Sequence, residues 1–395
     1  MASSADGVIL NARTIALVAG EASGDQLGAA LMRAIRIQDP EARFAGIGGP
    51  LMKAEGMDCW WESDQLAVMG LFEVLAHLPR LLALRKQLLQ RLIELNPAVY
   101  IGIDAPDFNL RIEKKLKSKN IPVIHYVSPT VWAWRPGRVK TIAKATDLVL
   151  CLFPFEPACY QRQAVKTVYT GHPLADQIPL EVDAEAARTA LSIEPGNRYI
   201  ALLPGSRAGE VDKLSAPMLD AATELTRRYP DLCFIVPAAN ERVRNTIETV
   251  LRQYPAVNCQ VYSGRGKEVI AAADIVVCAS GTATLEVMLI NRPMVVCYRL
   301  AAMTYKTMKW FKLLKSRFFS LPNILASEAL VPELLQHEVE GTRIAQEVSS
   351  WLEQPDKCAE LKQRFELMHR ELKTDAACAA ATAVLNHIKP ADDKA

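Results

Sequence analysis

The chain has 395 residues, half of them hydrophobic and 23% charged, with a formal net charge of +2. That is enough apolar sequence for two ordinary domains with real cores, and the near-balanced charge excludes a general nucleic-acid binder. The nine cysteines include no C-x-x-C pair and the six histidines fall at no metal-ligand spacing. The sequence therefore predicts reduced, buried cytosolic thiols rather than a disulfide framework or a zinc site.

In chain order, the opening Met1–Asp6 lacks the basic region and apolar core of a secretory leader. Thr14–Ala19 is predicted as a strand, Asp25–Gln38 as a helix, and Arg43–Ile47 as a strand ending in Gly48-Gly49-Pro50. Leu81–Leu95 follows as a helix, then Ala98–Ile103 (strand), Leu110–Lys119 (helix), Val123–Val127 and Leu148–Leu152 (strands). This alternation predicts a doubly wound parallel sheet. The rhythm breaks at Gly171–Asp176, which places a hinge near 171–180. A second series then runs through Tyr199–Leu203, Leu214–Arg228, Cys233–Val236, Glu241–Gln253, Asn258–Tyr262, Ile275–Cys278 and Met294–Tyr298. The expected organisation is a domain of 1–176, a second of 177–342, and a helical Ala-rich tail of 343–388 packing back on the first domain of its own or a partner chain. Two such domains are expected to face a shared cleft at their strand C-termini.

Two loops of the second half carry the sharpest chemistry. Leu202-Leu203-Pro204-Gly205-Ser206-Arg207 and Cys278-Ala279-Ser280-Gly281-Thr282-Ala283-Thr284-Leu285-Glu286 each read as strand, small-residue turn, helix start. That geometry aims backbone N–H groups and a positive helix end at an anion. Arg207 suits phosphate neutralisation, and Glu286 suits hydrogen bonds from ribose hydroxyls. Either loop alone is also ordinary α/β punctuation; the pair points to a nucleoside diphosphate. Neither loop is a P-loop or a G-x-G-x-x-G fingerprint, and no Asp-x-Asp pair offers a divalent-metal clamp.

In the first half, Gly20-Glu21-Ala22-Ser23-Gly24-Asp25 follows a strand, so Glu21 and Ser23 are expected at the cleft; Ser23 or Asp25 serves equally as a helix cap. Asp104, at a strand end before Pro106, is placed as a general base. Asp107 suits the cap of the following helix better, and is also carried as a candidate substrate contact. Trp132 and Trp134 share one side of an extended segment and line a sugar or acyl site or pack the core, while Arg135 and Arg138 suit phosphate and His125 a hydrogen-bonded core position. Leu66–Leu84 is unusually apolar but is interrupted by Glu73, His77, Pro79 and Arg80, so no membrane span is predicted. Val68, Met69, Phe72, Leu75, Leu78 and Leu82 are candidates for bilayer or acyl contact, against core packing as the default. Lys306, Lys309, Lys312 and Lys315 form a slanted basic band that is either solvated or meets anionic lipid.

Taken together and in order, Ala19–Asp25, Gly46–Pro50, Met69–Leu75, Gly102–Asn109, His125–Arg135, Gly171–Asp176, Leu202–Arg207, Ser280–Glu286 and Ser320–Asn323 resemble the lipid-A-disaccharide synthases, glycosyltransferases of the two-domain GT-B fold. The resemblance implies transfer from UDP-2,3-diacylglucosamine to 2,3-diacylglucosamine 1-phosphate with inversion, giving a β-1,6-linked tetraacyl disaccharide 1-phosphate and UDP. It implies no metal and no cofactor, a peripheral place on the cytoplasmic face of the inner membrane of Gram-negative bacteria, and a homodimer. It puts Glu21 and Asn323 near the donor sugar. A UDP-N-acetylglucosamine epimerase-like or other GT-B enzyme on soluble substrates is the rival enzyme reading. A peripheral membrane protein that binds UDP-sugars without turnover is the rival from another class.

Overall fold

Short apolar runs bounded by Gly, Pro and Asp fold as parallel strands, and the amphipathic stretches between them fold as crossover helices. A computed structural model describes residues 14–66, 71–132, 137–300 and 317–388, with the side chains of 71–78 outside that description. The chain divides into one unit of Met1–Asp176 with Leu372–Ala395 and a second of Gln177–Glu371.

The first unit runs β1 (Thr14–Ala19), α1 (Ala22–Gln38), β2 (Arg43–Gly48), α2 (Pro50–Ala54), β3 (Asp58–Glu62), α3 (Leu71–Leu95), β4 (Val99–Ile103), α4 (Pro106–Lys117), β5 (Val123–Tyr126), α5 (Arg138–Ala145), β6 (Leu148–Cys151), α6 (Glu156–Tyr160), β7 (Lys166–Tyr169) and α7 (Pro173–Gln177). Its seven strands lie in the order β3-β2-β1-β4-β5-β6-β7, all parallel. Central strands such as β1 and β4 are buried along their whole length, as parallel strands covered on both faces must be.

The second unit runs α8 (Ala184–Leu191), β8 (Arg198–Leu203), α9 (Ala208–Arg228), β9 (Leu232–Ala238), α10 (Glu241–Leu251), β10 (Cys259–Ser263), α11 (Gly266–Ala272), β11 (Ile275–Ala279), α12 (Thr282–Leu289), β12 (Met294–Tyr298), α13 (Leu321–Ala326), β13 (Glu333–Leu335), α14 (Gly341–Glu353) and α15 (Pro355–Leu372). Its six strands repeat the arrangement, β10-β9-β8-β11-β12-β13, again all parallel. Among the described residues no helix is long and apolar enough to cross a membrane.

The helical tail is divided rather than single. Helix α14 packs on α9 inside the second unit, whereas α16 (Ala376–Ile388) packs on α1 of the first. The reason is local: the Asp176 carboxylate accepts from Asp375 N (3.0 Å) and Ala376 N (2.7 Å), so the start of α16 is capped by the first unit. The thiols also differ from expectation: all nine are free, but only Cys151, Cys278 and Cys297 are buried, and Cys378 is exposed.

Asp25 caps a helix other than its own. It lies buried in α1, whose N-cap is Glu21 with no side-chain bond. Its carboxylate accepts from Gly49 N (2.8 Å), Leu51 N (3.0 Å) and Met52 N (3.0 Å), satisfying the orphan donors that open α2. A Cβ at Gly49 would stand 2.5 Å from that carboxylate, so the close approach requires glycine. Asp25→Ala strands three donors, and we expect it to lower unfolding stability by on the order of 3 kcal/mol or more, read as a reduced midpoint in urea.

Glu156 plays the same part at the end of β6, accepting from Leu152 N (2.9 Å) and Phe153 N (3.0 Å). Burial pushes its carboxyl up to about 7, against the pull of those two N–H groups. Because its folded value is raised, the stabilising term is present below the ordinary carboxyl range and is lost as pH rises through about 7. Glu156→Gln should remove that slope, so that its thermal stability relative to wild type improves between pH 5 and pH 8, by up to roughly 3 kcal/mol.

Candidate active site

Each sheet adds strands first to one side of its opening strand and then to the other. The crossover helices diverge where the order reverses, and the loops at the C-terminal ends of the two central strands are left uncovered; open α/β sheets bind ligands there. In the second unit that point lies between β8 and β11, whose ends pair Leu203 with Cys278. The two small-residue loops of the sequence are the loops that leave these ends.

Gly205 sits at φ +127°, and a Cβ there would stand 2.5 Å from the Glu210 carboxylate and 2.7 Å from its Cβ. Only glycine turns the chain here. Arg207 then occupies the N-cap of α9, and Gly281, at φ +133°, the N-cap of α12; neither closes its helix with a side-chain bond. Both helix starts border one pocket of about 550 Å³, lined by Gly205, Ser206 and Arg207, by Ser280–Ala283, and by Glu286. Arg207 is exposed, its guanidinium 3.9 Å from the Glu210 carboxylate. Glu286 is half-buried, and desolvation raises its carboxyl above the ordinary range while Lys267 pulls it down. The lining offers cationic and N–H donors together with two carboxylates, Glu210 beside Arg207 and Glu286.

Three expected ligand groups make hydrogen bonds inside the protein. Ser280 Oγ donates to Phe319 O (2.9 Å), and buried Thr284 donates to Gly281 O (2.8 Å) while accepting from Leu321 N (3.2 Å). Asn323 is buried and uses its whole amide. Its Nδ2 donates to Val331 O and Glu333 Oε1 (both 2.9 Å), and its Oδ1 accepts from Leu330 N (2.8 Å) and Val331 N (2.9 Å). Glu333 also accepts from Ser320 N (2.8 Å) and Ser320 Oγ (2.6 Å). Asn323 therefore positions the 319–323 turn against the pocket loops.

In the first unit the reversal falls between β1 and β4, where Ala19 pairs with Ile103. It brings together the Gly20–Ser23 loop and the Asp104 turn, so close that a Cβ on Gly20 would stand 2.9 Å from that of Ala105. Glu21 and Ser23 are exposed at the open start of α1, and Asp104 is half-buried. Asp104 and Ala105 both hold left-handed backbone (φ +51° and +42°), and Val127, past the end of β5, holds φ +78°. Such conformations are costly for residues with a Cβ, doubly so for a branched one. Asp107 does not cap α4: the N-cap is Ala105, Pro106 opens the helix with its fixed φ, and the exposed Asp107 carboxylate pairs with Arg138. His125 is fully buried, its Nδ1 2.7 Å from Glu113 Oε1.

Trp132 joins a cluster that single-strand reading did not collect: it meets Phe155 edge-on at 5.5 Å, Phe155 stacks on Phe153 at 5.7 Å, and Phe153 touches His172 at 5.3 Å. Burial lowers His172 to about 4, so the ring is neutral. These residues follow three different strands, and only the parallel register unites them. Val68, Met69, Trp134, Arg135 and the lysine band of 306–315 lie outside the described residues, as do the side chains of Phe72, Leu75 and Leu78; Leu82 is 43% exposed on α3. Among the described residues no group of three His, Cys, Asp or Glu side chains is placed to hold a metal ion.

A family model described as Lipid-A-disaccharide synthetase matches residues 15–388. The lipid-A-disaccharide synthase of Alcanivorax borkumensis is 47% identical over 374 residues, covering 95% of this chain and 97% of that protein. That of Aromatoleum aromaticum is 47% identical over 379 residues, covering 95% and 96%. Among solved structures, the UDP-GlcNAc 2-epimerase from Neisseria meningitidis bound to UDP-GlcNAc superposes with a TM-score of 0.59 at 12% identity, covering 95% of this chain and 99% of that one. The glycotransferase of kitacinnamycin superposes with a TM-score of 0.61 at 14% identity and the same coverage. These two likenesses carry the fold alone. By its sequence over nearly its whole length, the chain belongs to the lipid-A-disaccharide synthase family, glycosyltransferases of the GT-B fold that serve lipid A biosynthesis.

Proposed function

We propose that the protein transfers the sugar of UDP-2,3-diacylglucosamine to the 6-hydroxyl of 2,3-diacylglucosamine 1-phosphate, with inversion, releasing UDP and the β-1,6-linked tetraacyl disaccharide 1-phosphate. The observation that carries this reading is the second unit's pocket, where two open helix starts, Arg207 and Glu286 meet at the reversal of one sheet. Negative charge grows on the leaving diphosphate as the glycosidic bond to UDP breaks. Arg207 and the N–H groups around Ser206 and Gly281–Ala283 stabilise that charge, so the transfer is metal-independent. Glu286 accepts from the ribose hydroxyls.

Asp104 acts as general base, taking the proton from the acceptor hydroxyl as its oxygen attacks the anomeric carbon. Its support is placement at the reversal of the first sheet, on backbone held in a costly conformation. Glu21, Ser23 and Asp107 are exposed around the same loops and suit contacts to the polar parts of the acylated sugars. The aromatic cluster at Trp132 suits the sugar face or the start of an acyl chain. The exposed Leu82 on α3 supports contact of that helix face with acyl chains or the bilayer. The proposed setting is peripheral, on the cytoplasmic face of the inner membrane, as a homodimer.

The deciding assay measures UDP release by the detergent-purified protein from the acylated donor, with and without the acceptor, beside UDP-N-acetylglucosamine as donor. Release is expected only with both acylated partners, together with a tetraacyl disaccharide phosphate by mass spectrometry. Release without acceptor, or from the unacylated donor, would overturn the reading. Asp104→Asn should lower kcat by about 10²- to 10⁴-fold and leave the UDP dissociation constant unchanged in calorimetry. Glu286→Gln should weaken UDP about 10-fold near neutral pH, the usual cost of losing a charge-assisted hydrogen bond. Because burial raises the Glu286 carboxyl, wild-type affinity for UDP should fall on mild acidification more steeply than that of Glu286→Gln.

A further inference from the structure

Beneath the Asp104 turn lies one buried amide that touches every strand end at the reversal of the first sheet. Asn109, in the first turns of α4, is fully buried. Its Nδ2 donates to Asp104 O at 2.9 Å and lies 3.5 Å from both Ile103 O and Val18 O. Its Oδ1 accepts from the hydroxyl of Tyr100 on β4 at 2.9 Å. Tyr100 is itself fully buried, and burial holds its phenol well above its ordinary value, so the hydroxyl stays protonated and donates. The amide has a single orientation: turned over, its oxygen would face three carbonyl oxygens and its NH₂ a donor hydroxyl.

The rest of the turn is held through backbone. Asp104 N donates to Tyr126 O (2.8 Å), and Phe108 N and Asn109 N both donate to Ala105 O (3.0 Å). The Asp104 carbonyl is the group held by a side chain. Two successive left-handed residues with a Cβ cost about 1–2 kcal/mol each, and such a conformation persists only where its surroundings over-determine it.

We infer that Asn109, oriented by Tyr100, is the positioning residue for Asp104: its amide holds the left-handed Asp104–Ala105 turn that fixes where the base carboxylate stands. This rests on the reading of Asp104 as the general base. Asn109 touches no reacting atom. Its bond is to the Asp104 carbonyl and not to the carboxylate, so its loss moves the base without changing the base's chemistry.

The test is a double-mutant cycle on the transfer reaction. Asn109→Ala should lower kcat about 10²-fold, the scale of a misplacement near 1 Å, with KM for both substrates and the UDP dissociation constant unchanged. Tyr100→Phe, which keeps the packing and removes the orienting donor, should lower kcat in the same direction by less. The acidic limb of the pH–kcat profile should stay where it is in wild type. In an Asp104→Asn background, Asn109→Ala should cost nothing further, because the group it positions is already disabled. A folded Asn109→Ala protein with wild-type kcat would overturn the inference, and so would a full additional loss on top of Asp104→Asn. Should Asn109→Ala fail to fold, wild-type kcat in Tyr100→Phe would overturn it. High activity in Asp104→Asn alone would instead remove the base assignment, and with it the role given to Asn109.

Discussion

The constraint on which the rest depends is the parallel pairing of two strand pairs, β1 with β4 and β8 with β11. A parallel pair cannot be closed by a hairpin; each strand must leave through a crossover that covers one face of the sheet. When successive crossovers go to opposite faces, the ends of the two central strands are left open. Gly20–Ser23 and Asp104 occupy that opening in one unit, Gly205–Arg207 and Ser280–Ala283 in the other. The placement of chemistry is thus a consequence of strand order, and the side chains exploit an opening that the backbone creates.

Openings of this kind have unsatisfied backbone donors, and the chain treats them in two ways. Around several loops it supplies carboxylates: buried Asp25 for the start of α2, buried Glu156 for the loop after β6, half-buried Asp176 for the start of α16, and half-buried Glu333 for the 319–320 turn. At α1, α9 and α12 no side chain closes the helix start. Uncapped starts also occur at α4, α5 and α14, so what sets α9 and α12 apart is the pocket that both border.

The first unit concentrates strain and buried polarity at one place. Asp104, Ala105 and Val127 carry positive φ, and Tyr100, Asn109, Glu113 and His125 are all fully buried close behind them. Polar groups withdrawn from water are retained only when their partners hold them in one geometry. Here the Asn109 amide, bonded by Tyr100, holds the Asp104 carbonyl in the turn that bears a half-buried carboxylate.

By itself the sequence determined the alternation of elements, the two-domain α/β class, the family, and the strand-to-helix loops, because these are local: apolar runs of strand length, small residues at turns, and Gly where a left-handed turn is required. The strands expected at Thr14–Ala19 and Tyr199–Leu203 stand as expected. Helix starts were less legible. Helix α1 begins at Ala22, α4 at Pro106 and α9 at Ala208, earlier than apolar periodicity marks them, because their opening residues are mostly small or polar and a single apolar side chain such as Phe108 or Val211 does not yet show a period. Only the tertiary structure decided which residues meet. Asp25 caps α2 and not its own helix, Asp107 takes an arginine, Asn323 turns inward, the aromatic cluster gathers from three strand ends, and the tail divides between two units. All of these but the turn of Asn323, whose partners stand seven to ten residues on, depend on partners tens to hundreds of residues away, and sequence periodicity carries the face on which a side chain lies but not what stands opposite it.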